Sequence, residues 1–106
     1  MAPEGTPHSL TVESERFADK CVVHCGGDLV GGGCGFLQEK VSELIPDSKL
    51  IVLDLTELEW IDSMGLGTLV RLHVLCKAAG CRLQLDNVGK RIKELLSLTN
   101  LLGIFA

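Results

Sequence analysis

The spacing of apolar positions changes several times along the chain, and each change marks an element. Ser9 to Arg16 alternates through Leu10 and Val12, and Lys20 to Cys25 carries Cys21, Val22 and Val23. Both read as strands, joined by the short hairpin turn Phe17-Ala18-Asp19. Phe36, Leu37, Val41, Leu44 and Ile45 fall on one face of a helix, with Gln38, Glu39 and Lys40 outside and Pro46 as its stop. Leu50 to Leu55 is a nearly unbroken apolar run, as expected of a central strand covered on both faces. Thr56 to Asp62 reads as a connection. A long helix is expected from about Ser63 to Ala79, ended at Gly80. Leu66, Leu69, Val70, His73 and Val74 are assigned to its inner face, and Met64, Thr68, Arg71, Leu72 and Leu75 to its outer face, with Leu72 and Leu75 equally readable as packed under the glycine-rich loop or the N-terminal strands. Cys81 to Asp86 alternates as a strand, and Lys90 to Leu98 is a helix with Ile92, Leu95 and Leu96 inward. Asn100 suits a left-handed cap, and the tail Leu101 to Ala106 leaves room for a short strand.

The order β-β-α-β-α-β-α defines an α/β fold. An N-terminal antiparallel hairpin is followed by parallel strands, giving a mixed β-sheet with helices packed on it. The 106 residues suit a flexible leader over 1–8 and a single domain over 9–106. An apolar content of 46% with 23% charged residues supports a packed core.

Charge and composition exclude several functions. The net charge is −4 and the ten Lys and Arg residues are scattered, apart from the solvated trio Lys90, Arg91 and Lys93. That is not the basic face through which a protein neutralises nucleic-acid phosphates. No apolar run reaches membrane-spanning length, so no direct membrane insertion is expected. The five cysteines lack a C-x-x-C pair and read as buried free thiols in a reducing, cytoplasmic setting. Cys21 and Cys25 share a strand face and His24 takes the other, so the three do not converge on a metal. Gly26 to Gly35 is glycine-rich but lacks the Lys-Ser/Thr ending of a phosphate-binding loop, and is expected to be a loop and helix entry. No metal, cofactor or catalytic residue is assigned.

The informative stretch is Leu58 to Gly67, at the junction of a buried strand and a helix, where α/β sheets collect functional groups. Ser63 stands where an N-cap belongs, beside the free amides of Met64, Gly65 and Leu66 and the positive end of the helix dipole. A phosphate there would add roughly −1.5 to −2 charges without unfolding the helix. Gly65 and Gly67 would let a partner backbone approach closely. By spacing alone, Ser63 reads first as a plain cap and Asp62 as a turn residue, because Asp-Ser before a helix is common. Ser63 lacks a local histidine base and a G-x-S-x-G elbow, which argues against a nucleophile.

Three blocks together, Leu50 to Leu55, Trp60 to Gly67 and Leu95 to Leu101, resemble the STAS family in motif and spacing. In the N-terminal half, Gly27-Asp28-Leu29 stands where that family has Gly-Glu-Leu. The resemblance implies a regulatory module of the anti-sigma factor antagonist type and no enzyme. Ser63 would be phosphorylated by a serine kinase that doubles as the anti-sigma factor, with Asp62, Gly65, Leu66 and Gly67 supporting the site. The unmodified form would bind the kinase and free the sigma factor, and a serine phosphatase would reverse the modification. Asp28, Met64, Thr68, Arg71, Leu72 and Leu75 are the expected partner contacts. Val30 stands where members often carry Asp, which keeps open a STAS subunit of a sensory or transport assembly without the switch. A thiol- or metal-dependent protein using the cysteines is the third alternative.

Overall fold

A computed structural model describes residues 10–99. They form strands β1 (Leu10–Arg16) and β2 (Lys20–Leu29), helix α1 (Gly32–Leu44) with a 3-10 turn after it (Ile45–Asp47), strand β3 (Leu50–Ile61), helix α2 (Ser63–Ala78), strand β4 (Arg82–Asp86) and helix α3 (Lys90–Leu98). The sheet has the order β1-β2-β3-β4, with β1 antiparallel to β2 and the other neighbours parallel. This is the mixed α/β sheet that the element order implies. The leader, the Asn100 cap and the tail strand lie outside the described residues.

Register fixes the two faces of the sheet. Val12 stands opposite Cys25, and Glu13 opposite His24, which in turn stands opposite Asp54. One face therefore carries Val12, Val23, Cys25, Ile51 and Leu53, and the other carries Glu13, His24 and Asp54 together with Val22 and Val52. The apolar face supplies Val23, Cys25, Ile51, Leu53 and Leu83 to one buried cluster. Leu37 and Val41 of α1, Leu69, Leu72 and Cys76 of α2, and Ile92 and Leu96 of α3 complete it. Each large apolar side chain so buried contributes about 1.5–3 kcal/mol. All five cysteines are free and buried, so they act as small hydrophobes of the interior.

Strand β3 corrects the expected connection over Thr56 to Asp62. It continues to Ile61, and its apolar residues shift from alternation to every third position: Leu55, Leu58 and Ile61 are buried. The pairing with β2 explains the change. His24 pairs with Asp54 but Gly26 with Glu57, and Gly27 pairs with Leu58 but Asp28 with Trp60. β3 thus holds an extra residue at each of two irregularities, and each one returns the next apolar side chain to the core. Period-2 scanning does not detect such a strand.

The glycine-rich stretch is also more ordered than expected. Residues 26–29 belong to β2 and α1 begins at Gly32, leaving only Val30 and Gly31 between them. Gly31, with φ 49°, makes the turn as the N-cap, a conformation that favours glycine. In α1 the buried residues are Cys34, Leu37 and Val41, while Phe36 is exposed, against its expected inward place.

Helix α2 buries a different stripe from the one expected. Gly65, Leu66, Thr68, Leu69, Leu72 and Cys76 are inside, while Val74 is 57% exposed. This helix packs on α1 as well as on the sheet. Its sequence is apolar on nearly every side, so only packing selects the inner face.

Candidate functional site

Helix α2 starts where β3 ends, and Asp62, not Ser63, is its N-cap. Asp62 Oδ1 accepts a hydrogen bond from the Gly65 amide at 2.8 Å, and its carbonyl accepts from the Leu66 amide at 2.9 Å. The Asp62 amide donates to the Leu29 carbonyl at 3.4 Å, tying the helix entry to the end of β2. Aspartate caps as well as serine, and its charge also suits the helix dipole. Ser63 is consequently the first helical residue, and it is exposed. Its hydroxyl stands in solvent beside a helix mouth from which Asp62 has already taken the Gly65 amide.

The glycines of this turn differ in role. A Cβ on Gly65 would lie 2.3 Å from the Leu29 carbonyl oxygen and 2.5 Å from Ile61 Cγ1. Gly65 therefore serves internal close packing rather than partner access. Among the described residues, nothing beyond its own stretch of helix lies within 4 Å of such a Cβ on Gly67, and the same holds for Gly35 of α1. A helical glycine costs roughly 0.5–1 kcal/mol against alanine, and nothing inside the described residues requires these two.

Gly35 and Gly67 line the same groove between α1 and α2, of about 370 Å³, with Gly31, Cys34 and Gln38 on one wall and Met64, Thr68 and Arg71 on the other. Met64 is 60% exposed at its edge. Arg71 Nη1 donates to Gln38 Oε1 at 3.5 Å across it. Thr68 is 7% exposed, and its hydroxyl donates to the Met64 carbonyl at 2.9 Å. Of the expected partner contacts, Met64, Thr68 and Arg71 thus come together, Thr68 largely as a buried wall. Leu72 is fully buried and its outward placement is corrected: it packs in the core. Asp28 pairs with Trp60 in the strand register and Leu75 lies farther along α2, and neither lines the groove. Leu66 is buried beneath the site. The α1 wall escaped sequence reasoning, because its glycines looked like loop when they are the first turn of a helix.

A second polar cluster occupies the opposite face of the sheet. His24 Nδ1 donates to Asp54 Oδ2 at 2.7 Å, and His24 Nε2 lies 3.6 Å from Glu15. Asp54 Oδ1 accepts from the Thr56 hydroxyl at 2.6 Å, the Thr56 amide at 3.1 Å and Asn87 Nδ2 at 2.9 Å. The Thr56 hydroxyl, then Asn87 and His24, hold the Asp54 carboxyl well below the usual carboxylate range. The Asp54 hydrogen bond raises His24, with Glu15 adding to it against partial desolvation. Asp54 therefore pins β3 to β2 and to the exit of β4, just before the first irregularity of β3.

Comparison with known proteins agrees with this architecture. The structure is similar to the unphosphorylated anti-sigma factor antagonist SpoIIAA, with a TM-score of 0.75 and 19% identity over 86% of this chain and 82% of that one. An anti-sigma factor antagonist from Mycobacterium paratuberculosis gives a TM-score of 0.76 at 24% identity, over 94% and 86% of the two chains. The murine Solute Carrier 26 family member A9 anion transporter gives 0.70 at 18% identity, over 79% of this chain and 14% of the transporter. At these identities the likeness is one of fold, and the same fold serves free-standing antagonists and a small part of a transporter. The family model for the STAS domain matches residues 10–106, spanning the mixed sheet and the capped entry of α2, and the chain belongs to the STAS domain family.

Proposed function

We propose that this chain is a regulatory protein-binding module of the anti-sigma factor antagonist type. It docks an anti-sigma factor on the α1–α2 groove, and phosphorylation of Ser63 by a partner serine kinase weakens that contact until a phosphatase removes the charge. The observation that carries this is the exposed Ser63 at the first position of α2, next to a groove whose Gly35 and Gly67 nothing among the described residues requires to be glycine. Bare backbone on two helices admits a partner at close range, and a dianion at its rim opposes an apolar contact through Met64. The reading assigns no catalytic residue.

Calorimetric titration with an anti-sigma factor tests the proposal. Ser63→Asp is expected to weaken binding about tenfold or more, the scale of one desolvated charge, while Ser63→Ala binds normally and loses phosphate incorporation from kinase and ATP. Incorporation that persists in Ser63→Ala rejects the site.

A second reading has its own support. Met64 lines the groove and Ser63 does not. A module that docks through Met64 without a switch, as a subunit of a sensory or transport assembly, predicts loss of binding in Met64→Asp and unchanged binding in Ser63→Asp.

A further inference from the structure

Two of the cysteines meet at the far end of α2, away from the proposed docking surface. The Cys81 amide donates to the Cys76 carbonyl at 2.8 Å and the Gly80 amide to the Lys77 carbonyl at 3.2 Å. Gly80 is left-handed at φ 76°. This sixth-to-first and fifth-to-second pairing is the Schellman closure of a helix, which sets the side chains of its two end residues against each other. An apolar contact commonly fills that place; here both residues are cysteine, and the Cys81 thiol donates to the Arg82 carbonyl at 3.6 Å. Cys76 is fully buried and Cys81 is 4% exposed. Burial, then the neighbouring Cys81, pushes the Cys76 thiol up to about 12, which keeps Cys76 inert while the helix end is closed.

We propose that Cys76 and Cys81 are a redox-responsive pair that closes to a disulfide by exchange with a small-molecule disulfide. The Schellman turn and the main-chain hydrogen bond between the two residues bring them together, the proximity that a disulfide requires. Lys77, Ala78, Ala79 and Gly80 between them are exposed, so the last turn of α2 opens without unfolding the core. On opening, Cys81 as thiolate attacks one sulfur of the small disulfide and releases one small thiol, leaving a mixed disulfide. Cys76, deprotonated in turn, attacks the Cys81 sulfur and releases the second. Two protein thiols are oxidised to one disulfide, one small disulfide is reduced to two thiols, and the two protons pass to them. The pairing is selective: Cys21 and Cys25 share a strand face but stand about 13 Å apart by strand rise.

The full chain is equilibrated in mixtures of reduced and oxidised glutathione, the remaining thiols are alkylated, and bridges are mapped by peptide mass spectrometry. Two of the five thiols are expected to become protected, in a Cys76–Cys81 bridge. The oxidation equilibrium should be at least about tenfold more favourable than for the same chain in 6 M guanidinium, because the native turn holds the pair together. Cys81→Ala is expected to form no internal bridge, and it remains informative should Cys76→Ala, at a fully buried position, fail to fold. Five alkylatable thiols at every ratio, with mild urea added to open the helix end, would overturn the proposal. So would bridges among other cysteines, or glutathione adducts that never resolve.

Discussion

Asp54 and Asp62 lie on the same strand and at its exit, within the blocks that resemble the STAS family, yet their surroundings are opposite. Both oxygens of Asp54 are engaged, by Thr56, Asn87 and His24. Asp62 commits one carboxylate oxygen to the Gly65 amide, and the surface beyond it is open: exposed Ser63, exposed Met64 and the glycine-lined groove. A carboxylate whose partners are all internal holds the fold together, whereas a surface with bare backbone and an unfilled groove is free to meet something else. Two similar residues in two recognisable blocks therefore divide into a structural pin and the threshold of the proposed docking surface.

The sharpest break in that comparison comes at Gly65. Gly65→Ala places a methyl against the Leu29 carbonyl and Ile61, and thermal or urea unfolding should show a loss of about 3 kcal/mol from overpacking. Asp54→Ala should follow at about 2 kcal/mol, since it strands hydrogen bonds made to a charged group. Anti-sigma factor affinity per folded molecule should stay the same, because the pin is on the opposite face.

Stability against pH isolates the same pin. The Asp54 carboxyl is lowered from about 3.8, so its contribution is present above that value and is lost as pH falls through the folded one. His24 is raised from 6.5, so its contribution is full below 6.5 and is lost as pH rises through the folded value. Denaturation midpoints should be highest between these limits, and His24→Gln should remove the decline on the alkaline side. The smallest effect belongs to Gly67→Ala, which has open space around it. It should raise stability by about 0.5–1 kcal/mol through helix propensity while weakening partner binding. Stabilisation with unchanged binding would detach the groove from function.

The sequence made some of this legible and concealed the rest for physical reasons. β1, β4 and α3 are regular and singly amphipathic, so their periods gave element type and inner face together. β3 was cut short because its two extra residues turn alternation into a three-residue spacing. The inner face of α2 is not fixed by its sequence, since Leu66, Leu69, Val70, Leu72, Val74 and Leu75 surround it, and packing against α1 and the sheet leaves Leu72 and Thr68 inside and Val74 outside. The cap was misplaced by one residue because Asp and Ser are both good caps and stand next to each other. The α1 wall of the groove was hidden by glycines that usually signal a loop and here begin a helix.

The irregular half of β3 also sets how this protein tolerates changes of length. Thr56 to Trp60 has the composition of a surface connection, the usual place to add or drop a residue, but each position there decides which way every later side chain points. Deleting one would turn Ile61 away from the interior and swing the start of α2 off its seat on β2, so this polar stretch is a ruler rather than a hinge.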